Sequence, residues 1–417
     1  MRWGFRHLDI HEPRERMVVG AADLALEVGL MPLRLLPSRR STDVRRILLL
    51  RLERIGDLLM SLGAIQTVRT LAPNAQIDLM VGPWNEPIAR LIPGIDRVEV
   101  LAASWLARDA SGHRATELAR DALSWRSRHY DLAINFEGDI RTHVLPWLAG
   151  AGRRVGFAMA GGGPLLTDVV EHDGGRHVAA NSLALVERAF GLPAGSLPDA
   201  QSREGLRRSR LVIPEAARSA ARAALTQAAG GCLPESLLAV HVPGGRAIKQ
   251  WPPSRFAEAA SVLAHEMRAA VVLTGTPDDS GLLDESEGLL RTRGVTVVRL
   301  DRGVDLVVSA AVLALSRLLL TGDTGPMHLA AAVGTPVLAV FGPSMPWRYA
   351  PLVEPRRIVR VDLPCSPCNR IRLPPERCRG HVPDCLDQVT TNAVIAAGRE
   401  LLAGGPEAPP PGERPQL

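Results

Sequence analysis

No uninterrupted apolar run in this 417-residue sequence reaches the roughly 18 to 20 residues that a bilayer-spanning helix needs. The first residues also lack the short apolar core and small-residue cleavage site of a secretory signal, so the protein is expected to stay in the cytoplasm. Cysteines are too few and too unevenly placed for a disulfide framework: of five, Cys232 stands alone and four are bunched between Cys365 and Cys385. An excess of one charge is missing too, since 49 Lys and Arg face 44 Asp and Glu, for a net of +5 spread along the chain. That balance does not resemble a nucleic-acid arm, so no nucleic acid is expected, and it favours an anionic ligand or surface only weakly. No sequence repeat is present. What remains, at 46% hydrophobic and 22% charged residues, is a globular chain long enough for two domains with a core each.

The first 43 residues stand apart as an N-terminal extension. Within it, "MVVGAADLALEVGLMPLRLL" from Met17 to Leu36 is apolar apart from Asp23, Glu27 and Arg34. The two acids lie one helical turn apart and share a face. An amphipathic helix is expected, packed on the protein's own body or lying on a membrane. From Arg45 the text becomes alternating strands and helices. "RRILLLRL" reads as a buried strand, "ERIGD" as a turn, "LLMSLGAIQTVRTLAP" as a helix ended by Pro73, and "AQIDLMVG" as a second strand. Such a βαβ unit implies a parallel sheet. "DLAINFEG" and "RRVGFA" continue it.

Between about Gly191 and Ile213 the pattern breaks, which puts a domain boundary there, with domains at 44–205 and 206–400. Alternation resumes with "LLAVHVPG", the helix "PSRFAEAASVLAHEM", "AVVLTG" and "GVTVVRL". Two successive parallel-sheet units imply a structural duplication. Residues 401–417, rich in Pro and Gly, are expected to form a disordered tail.

Three clusters carry chemistry. In "LTGDTGPMHLAAAVGTPVLAVFG" (Leu320 to Gly342) a strand ends and a helix begins. Pro326 suits the first turn, Asp323 or Thr324 can cap it, and Gly334 suits the exit. A helix starting beyond a parallel strand points its free amides at the crevice where such sheets bind ligands. A diphosphate there can be gripped by the free amides of the turn, Gly325 and Met327 on either side of Pro326, with Thr324 and His328 beside them. Asp323 would repel phosphate and fits better as a cap or as an acceptor for sugar hydroxyls. An ordinary capped helix is the alternative.

In "HVPGGRAIKQWPPSRF", Gly244 permits close backbone approach, Arg246 and Lys249 bring positive charge to a sheet edge, and Trp251 anchors the loop by burial. A solvated basic loop would look the same. In "RLERIGDLLMSLGAI", Gly56 and Asp57 follow a strand and open a helix. Asp57 can act as a general base on an attacking hydroxyl, or as an N-cap.

These segments, in this order and with "INFEGDIRTHVLPWLAGAGRRVGF", "LTGTPDD" and "GPSMPWRYAP", resemble glycosyltransferase family 9, the heptosyltransferases of lipopolysaccharide core synthesis, over roughly Arg45 to Ala397. The resemblance implies a GT-B fold, two Rossmann-like α/β domains with parallel sheets facing across a cleft, the first for the acceptor and the second for the nucleotide sugar. It implies an inverting displacement with Asp57 as base and with Lys249 and the Asp323–His328 turn at the leaving diphosphate. The implied partners are ADP-heptose and a glycolipid acceptor, with peripheral contact at the cytoplasmic face of the inner membrane. Another nucleotide sugar, or a binding protein without turnover, would share most of these features.

No Asp-x-Asp motif for a nucleotide-bound metal lies where it would be needed, and none is expected to be required for catalysis. Asp278 and Asp279 can instead meet a ribose or sugar hydroxyl, or serve as exposed loop acids. Glu53 and Arg54 stand where the family has small polar residues, so acceptor recognition can differ. Arg141, His143 and Arg153 are candidates for an anionic acceptor group, with surface charge as the alternative. Cys365, Cys368, Cys378 and Cys385 could close a structural zinc site or, by count, hold an iron–sulfur cluster; reduced packing cysteines and disulfides are the other readings.

Overall fold

A computed structural model of the chain describes residues 5, 8–10, 12–34, 44–105, 115–198 and 210–404. The chain divides into two compact units, Met1–Arg208 and Ser209–Leu417.

In the first unit, six strands form one sheet: β1 (Arg46–Arg51), β2 (Gln76–Val81), β3 (Arg97–Val100), β4 (Leu132–Asn135), β5 (Arg153–Phe157) and β6 (Asp168–Val170). Their order is β3-β2-β1-β4-β5-β6, and each pairing is parallel. Ile47 to Leu50 of β1 are wholly buried, as a central strand covered by helices on both faces requires. The predicted helix after β1 divides into Ile55–Met60 and Leu62–Leu71. At the junction the Ser61 amide donates to the carbonyls of Asp57 and Leu58 at 3.2 and 3.0 Å, and its hydroxyl donates to the Asp57 carbonyl at 3.1 Å. Serine back-bonding of this kind bends a helix.

The N-terminal extension is helical from Pro13 to Arg34. Asp23 turns inward and its Oδ1 accepts the Gly162 amide at 2.6 Å, so the acid that looked like a flaw in an apolar face docks the helix on its own unit.

The second unit repeats the plan with β7 (Leu237–His241), β8 (Ala270–Thr274), β9 (Val297–Leu300), β10 (Leu318–Gly322), β11 (Val337–Val340) and β12 (Arg356–Val359). The order is β12-β11-β10-β7-β8-β9, again parallel throughout. Written from β9 to β12, this is the first unit's order. The expected duplication is therefore one of topology without sequence repetition. Trp251 and Phe256 meet edge to face at 5.0 Å inside a core that also takes Leu263, Leu338 and Val340. Trp251 is fully buried and its indole N–H donates to the Val389 carbonyl at 3.2 Å, so it anchors the loop before it as expected. The last described helix, Thr391–Leu402, carries buried Leu401 into the segment read as tail; residues 405–417 lie outside the described part.

Candidate active site

In each sheet the strand order reverses at one place, between β1 and β4 in the first unit and between β7 and β10 in the second. Chains leaving the carboxyl ends of such neighbours diverge and open a crevice.

At the first switch point, β1 delivers Arg51 to the end of the strand with only 5% exposure. Its Nη1 donates to the Phe136 carbonyl at 2.5 Å and lies 3.3 Å from Glu53. Its Nη2 lies 3.6 Å from Asp57. Burial works against the guanidinium charge, but Glu53, Asp57 and Glu137 outweigh it and hold the group firmly protonated. Asp57 falls at the third residue of the helix Ile55–Met60, whose N-cap position is Arg54. The cap reading of Asp57 therefore fails, and its half-buried carboxylate is held at the helix start by Arg51.

Glu137, which follows β4, enters the same cluster without having been singled out. Its Oε1 accepts the amides of Leu52 and of Glu53, the latter at 2.9 Å, so it ties the turn after β1 to the end of β4. Burial, and next the Glu53 charge, push its carboxyl up to about 8, against the pull of Arg51 and the two amides. The signal for it in sequence was an acid two residues after a buried strand, in "LAINFEG". The Glu53 carbonyl is held in turn by Trp84 Nε1 at 2.7 Å and Asn85 Nδ2 at 2.6 Å.

The three candidates for an acceptor anion separate. His143 is fully buried; Nδ1 meets Asn135 Nδ2 at 2.8 Å, and Nε2 meets the Phe157 carbonyl at 2.7 Å. Burial pushes its imidazolium down to about 4, so it is neutral near pH 7 and cannot attract an anion. Arg153 begins β5, at the amino edge of the sheet and away from the crevice. It pairs with Asp168 at 3.1 Å and donates to the Ala189 carbonyl at 2.6 Å. Arg141 alone sits at the carboxyl end, just after β4, paired with Asp139 and stacked 5.5 Å over Trp105.

At the second switch point, β10 ends in Gly322 and the helix Gly325–Val333 starts with Thr324 at its N-cap position, extended at φ −142° and ψ 167°. The Thr324 side chain makes no capping hydrogen bond, and Pro326 sits in the first turn. The Thr324 hydroxyl is 3.1 Å from that of Thr321. Asp323 is likewise no cap: its Oδ2 lies 2.6 Å from Lys249 Nζ. Lys249 comes from the loop after β7, where a Cβ on Gly244 would lie 3.2 Å from the Arg246 carbonyl, closer than a side chain tolerates without a shift. A lysine and an aspartate 74 residues apart in sequence are thus one unit beside the start of that helix. Met327 and His328 are buried in the first turn, and Gly334 closes the helix at φ +94° as its sequence position suggested.

Arg246 is exposed in the Gly244 loop, and Asp278 is exposed in the turn after β8. Its neighbour Asp279 is occupied in a capping box, its Oδ2 accepting the Thr276 amide at 2.8 Å. His241, at the end of β7, keeps Nδ1 3.0 Å from the Thr274 carbonyl, and desolvation pushes its imidazolium down to about 4.

Cys385 is buried while Cys365, Cys368 and Cys378 are half-buried, all as free thiols. Burial, with Cys368 and Cys378 nearby, pushes the Cys385 thiol up to about 11. Among the described residues no three His, Cys, Asp or Glu side chains converge on a metal-sized space.

The model of the family described as "Glycosyltransferase family 9 (heptosyltransferase)" matches residues 120–376. The lipopolysaccharide heptosyltransferase 2 of Salmonella typhimurium is 28% identical over 322 residues, spanning 74% of this chain and 85% of its own. Among solved structures, the Escherichia coli ADP-heptose lps heptosyltransferase II superposes with a TM-score of 0.70 at 22% identity, over 86% of this chain and 99% of its own. An Escherichia coli heptosyltransferase with ADP-2-deoxy-2-fluoro heptose superposes with a TM-score of 0.60 at 19% identity, over 85% of this chain and 99% of its own. The fold is that of these two proteins, GT-B with a Rossmann-like sheet in each unit.

Proposed function

The chain belongs to glycosyltransferase family 9, and from that premise we propose that it moves heptose from ADP-heptose to a lipopolysaccharide-core or related glycolipid acceptor by a single inverting displacement. The relatives named for lipopolysaccharide heptosyl transfer support the reaction, and the relative solved with an ADP-heptose analogue supports the donor.

The observation that carries the reading is the Lys249–Asp323 contact at 2.6 Å, beside a helix start whose N-cap residue, Thr324, makes no side-chain cap. Asp323 immediately precedes the N-cap residue Thr324 and pairs with the ammonium there. When the anomeric carbon–oxygen bond breaks, negative charge grows on the departing diphosphate, and that preformed pair of ammonium and helix amides meets it. This explains an acid beside a phosphate site: its partner is the lysine. Cationic and amide groups supply the stabilisation, and we propose no metal in the step.

In the first unit, Asp57 is the proposed base. Its carboxylate takes the proton of the acceptor hydroxyl as that oxygen bonds to the anomeric carbon, and Arg51 fixes the carboxylate's direction. Arg141, exposed beside the same crevice, is the remaining candidate for an anionic group of the acceptor. A lipid-linked acceptor further implies that the enzyme works peripherally at the cytoplasmic face of the inner membrane. Among the described residues no helix is long and apolar enough to cross one.

Calorimetric titration with ADP, UDP, GDP and CDP at one salt concentration tests the donor assignment. ADP is expected to bind best, and Lys249→Ala to weaken it about tenfold or more, the scale of one charge-assisted contact. Preference for another base would move the function to a different nucleotide sugar, and equal ADP affinity in the variant would remove Lys249 from the site.

A further inference from the structure

The helix Pro13–Arg34 shows two different faces. The inward one is fixed: Asp23 accepts the Gly162 amide, and Gly20 and Gly161 sit so close to Phe5 and Val19 that a Cβ would clash with them. The outward one is apolar. Met17, Val18, Leu24, Val28 and Met31 are 51%, 70%, 58%, 68% and 64% exposed. Steps of three and four residues from Met17 through Ala21, Leu24 and Val28 to Met31 put these on one continuous stripe, with Val18 and Ala25 widening it. On that helical wheel Glu15 and Glu27 fall outside the arc, so no acid interrupts it. The docking of the opposite face prevents the helix from rolling to hide this stripe.

We propose that this arc is a membrane-docking surface that lies in the interface of an anionic lipid bilayer. Charge selects the occupant. "MPLRLLPSRR", from Met31 to Arg40, carries three arginines and no acid. A second copy running parallel would set one such arginine-rich sequence beside the other. An anionic surface neutralises them instead, and juxtamembrane basic clusters gain from such surfaces. The arc is also broader than the narrow seam of a two-stranded coil, and suits a helix lying flat with its apolar side in the headgroup boundary. The inference rests on the proposed lipid-linked acceptor for its purpose, and on this helix alone for its observation.

The test is co-sedimentation of the full chain with vesicles free of any glycolipid, made of phosphatidylcholine alone or with phosphatidylglycerol, with no sugar nucleotide present. Binding to the anionic vesicles is expected, weakening as salt rises. Leu24→Asp with Val28→Asp should lower it at least tenfold, while Val212→Asp, an exposed apolar site in the other unit, leaves it unchanged. Matching thermal melts verify that the variants are folded. Absence of parent binding overturns the proposal, as does equal binding by the double variant. Equal binding to neutral vesicles overturns the claim of anionic selectivity. A parent dimer that sediments with no vesicle and becomes monomeric in the double variant assigns the arc to a second copy. None of these outcomes bears on heptosyl transfer, which is assayed separately.

Discussion

Arg51 is one guanidinium facing three carboxyl groups, Glu53 at 3.3 Å, Asp57 at 3.6 Å and buried Glu137 across the turn. Burial, and next the charge of Glu53, outweigh the pull of Arg51, so Glu137 keeps its proton up to about 8. The folded state therefore holds a proton that the unfolded chain, with an ordinary value of 4.5, releases earlier. The stability this group adds is fully present below about pH 4.5 and is lost as pH rises through about 8. Glu137→Gln can keep an acceptor for the Leu52 and Glu53 amides without ionising. Its melting temperature should gain on the parent's steadily between those two pH values; parallel curves would contradict the buried proton. Glu137→Ala leaves both amides without their acceptor and should cost about 2 kcal/mol or more in a denaturant titration. A cost under about 0.5 kcal/mol would show that the turn does not depend on it.

Elements were legible where local chemistry and packing agree. The helix Pro253–Met267 falls where "PSRFAEAASVLAHEM" placed it, and Gly334 ends its helix in the left-handed conformation that favours glycine. The edge strands β3, β6 and β12 escaped because each has only three or four residues and is partly exposed, too short for periodicity to register. The division at Ser61 depends on one hydroxyl turning back on its own helix, which period alone does not show. At the site, sequence pointed to the glycine turns and the helix starts but could not pair residues from different loops. Lys249 with Asp323, and Arg51 with Glu137, become partners only through strand order. His143 and Arg153 misled for the same reason, since nothing local says that one is enclosed and the other starts its strand. Asp23 was visible but its direction was not. Asp23→Ala removes the acceptor of the Gly162 amide and should cost about 1 to 2 kcal/mol. Hydrogen exchange over Pro13–Arg34 should speed up while β1 stays protected; unchanged exchange would mean that apolar contacts alone hold the helix.

Across the whole molecule, two sheets of one strand order carry different chemistry at corresponding places. Where β1 meets β4 the loops supply a carboxylate fixed by arginine, suited to removing a proton. Where β7 meets β10 they supply an ammonium fixed by aspartate and a helix start, suited to receiving a diphosphate. The duplication is one of scaffold, and the division of labour lies in which loop residues each copy bears. In the proposed reaction the first cluster deprotonates an acceptor and the second meets the departing nucleotide, and the most direct test is to watch that reaction. Mass spectrometry of a heptose-free lipopolysaccharide-core acceptor incubated with ADP-heptose should show addition of one heptose by the parent. Asp57→Asn should turn over about a hundredfold more slowly or worse, the scale of a lost general base, while ADP affinity stays near the parent's. No transfer by the parent, or full turnover by Asp57→Asn, would contradict the account.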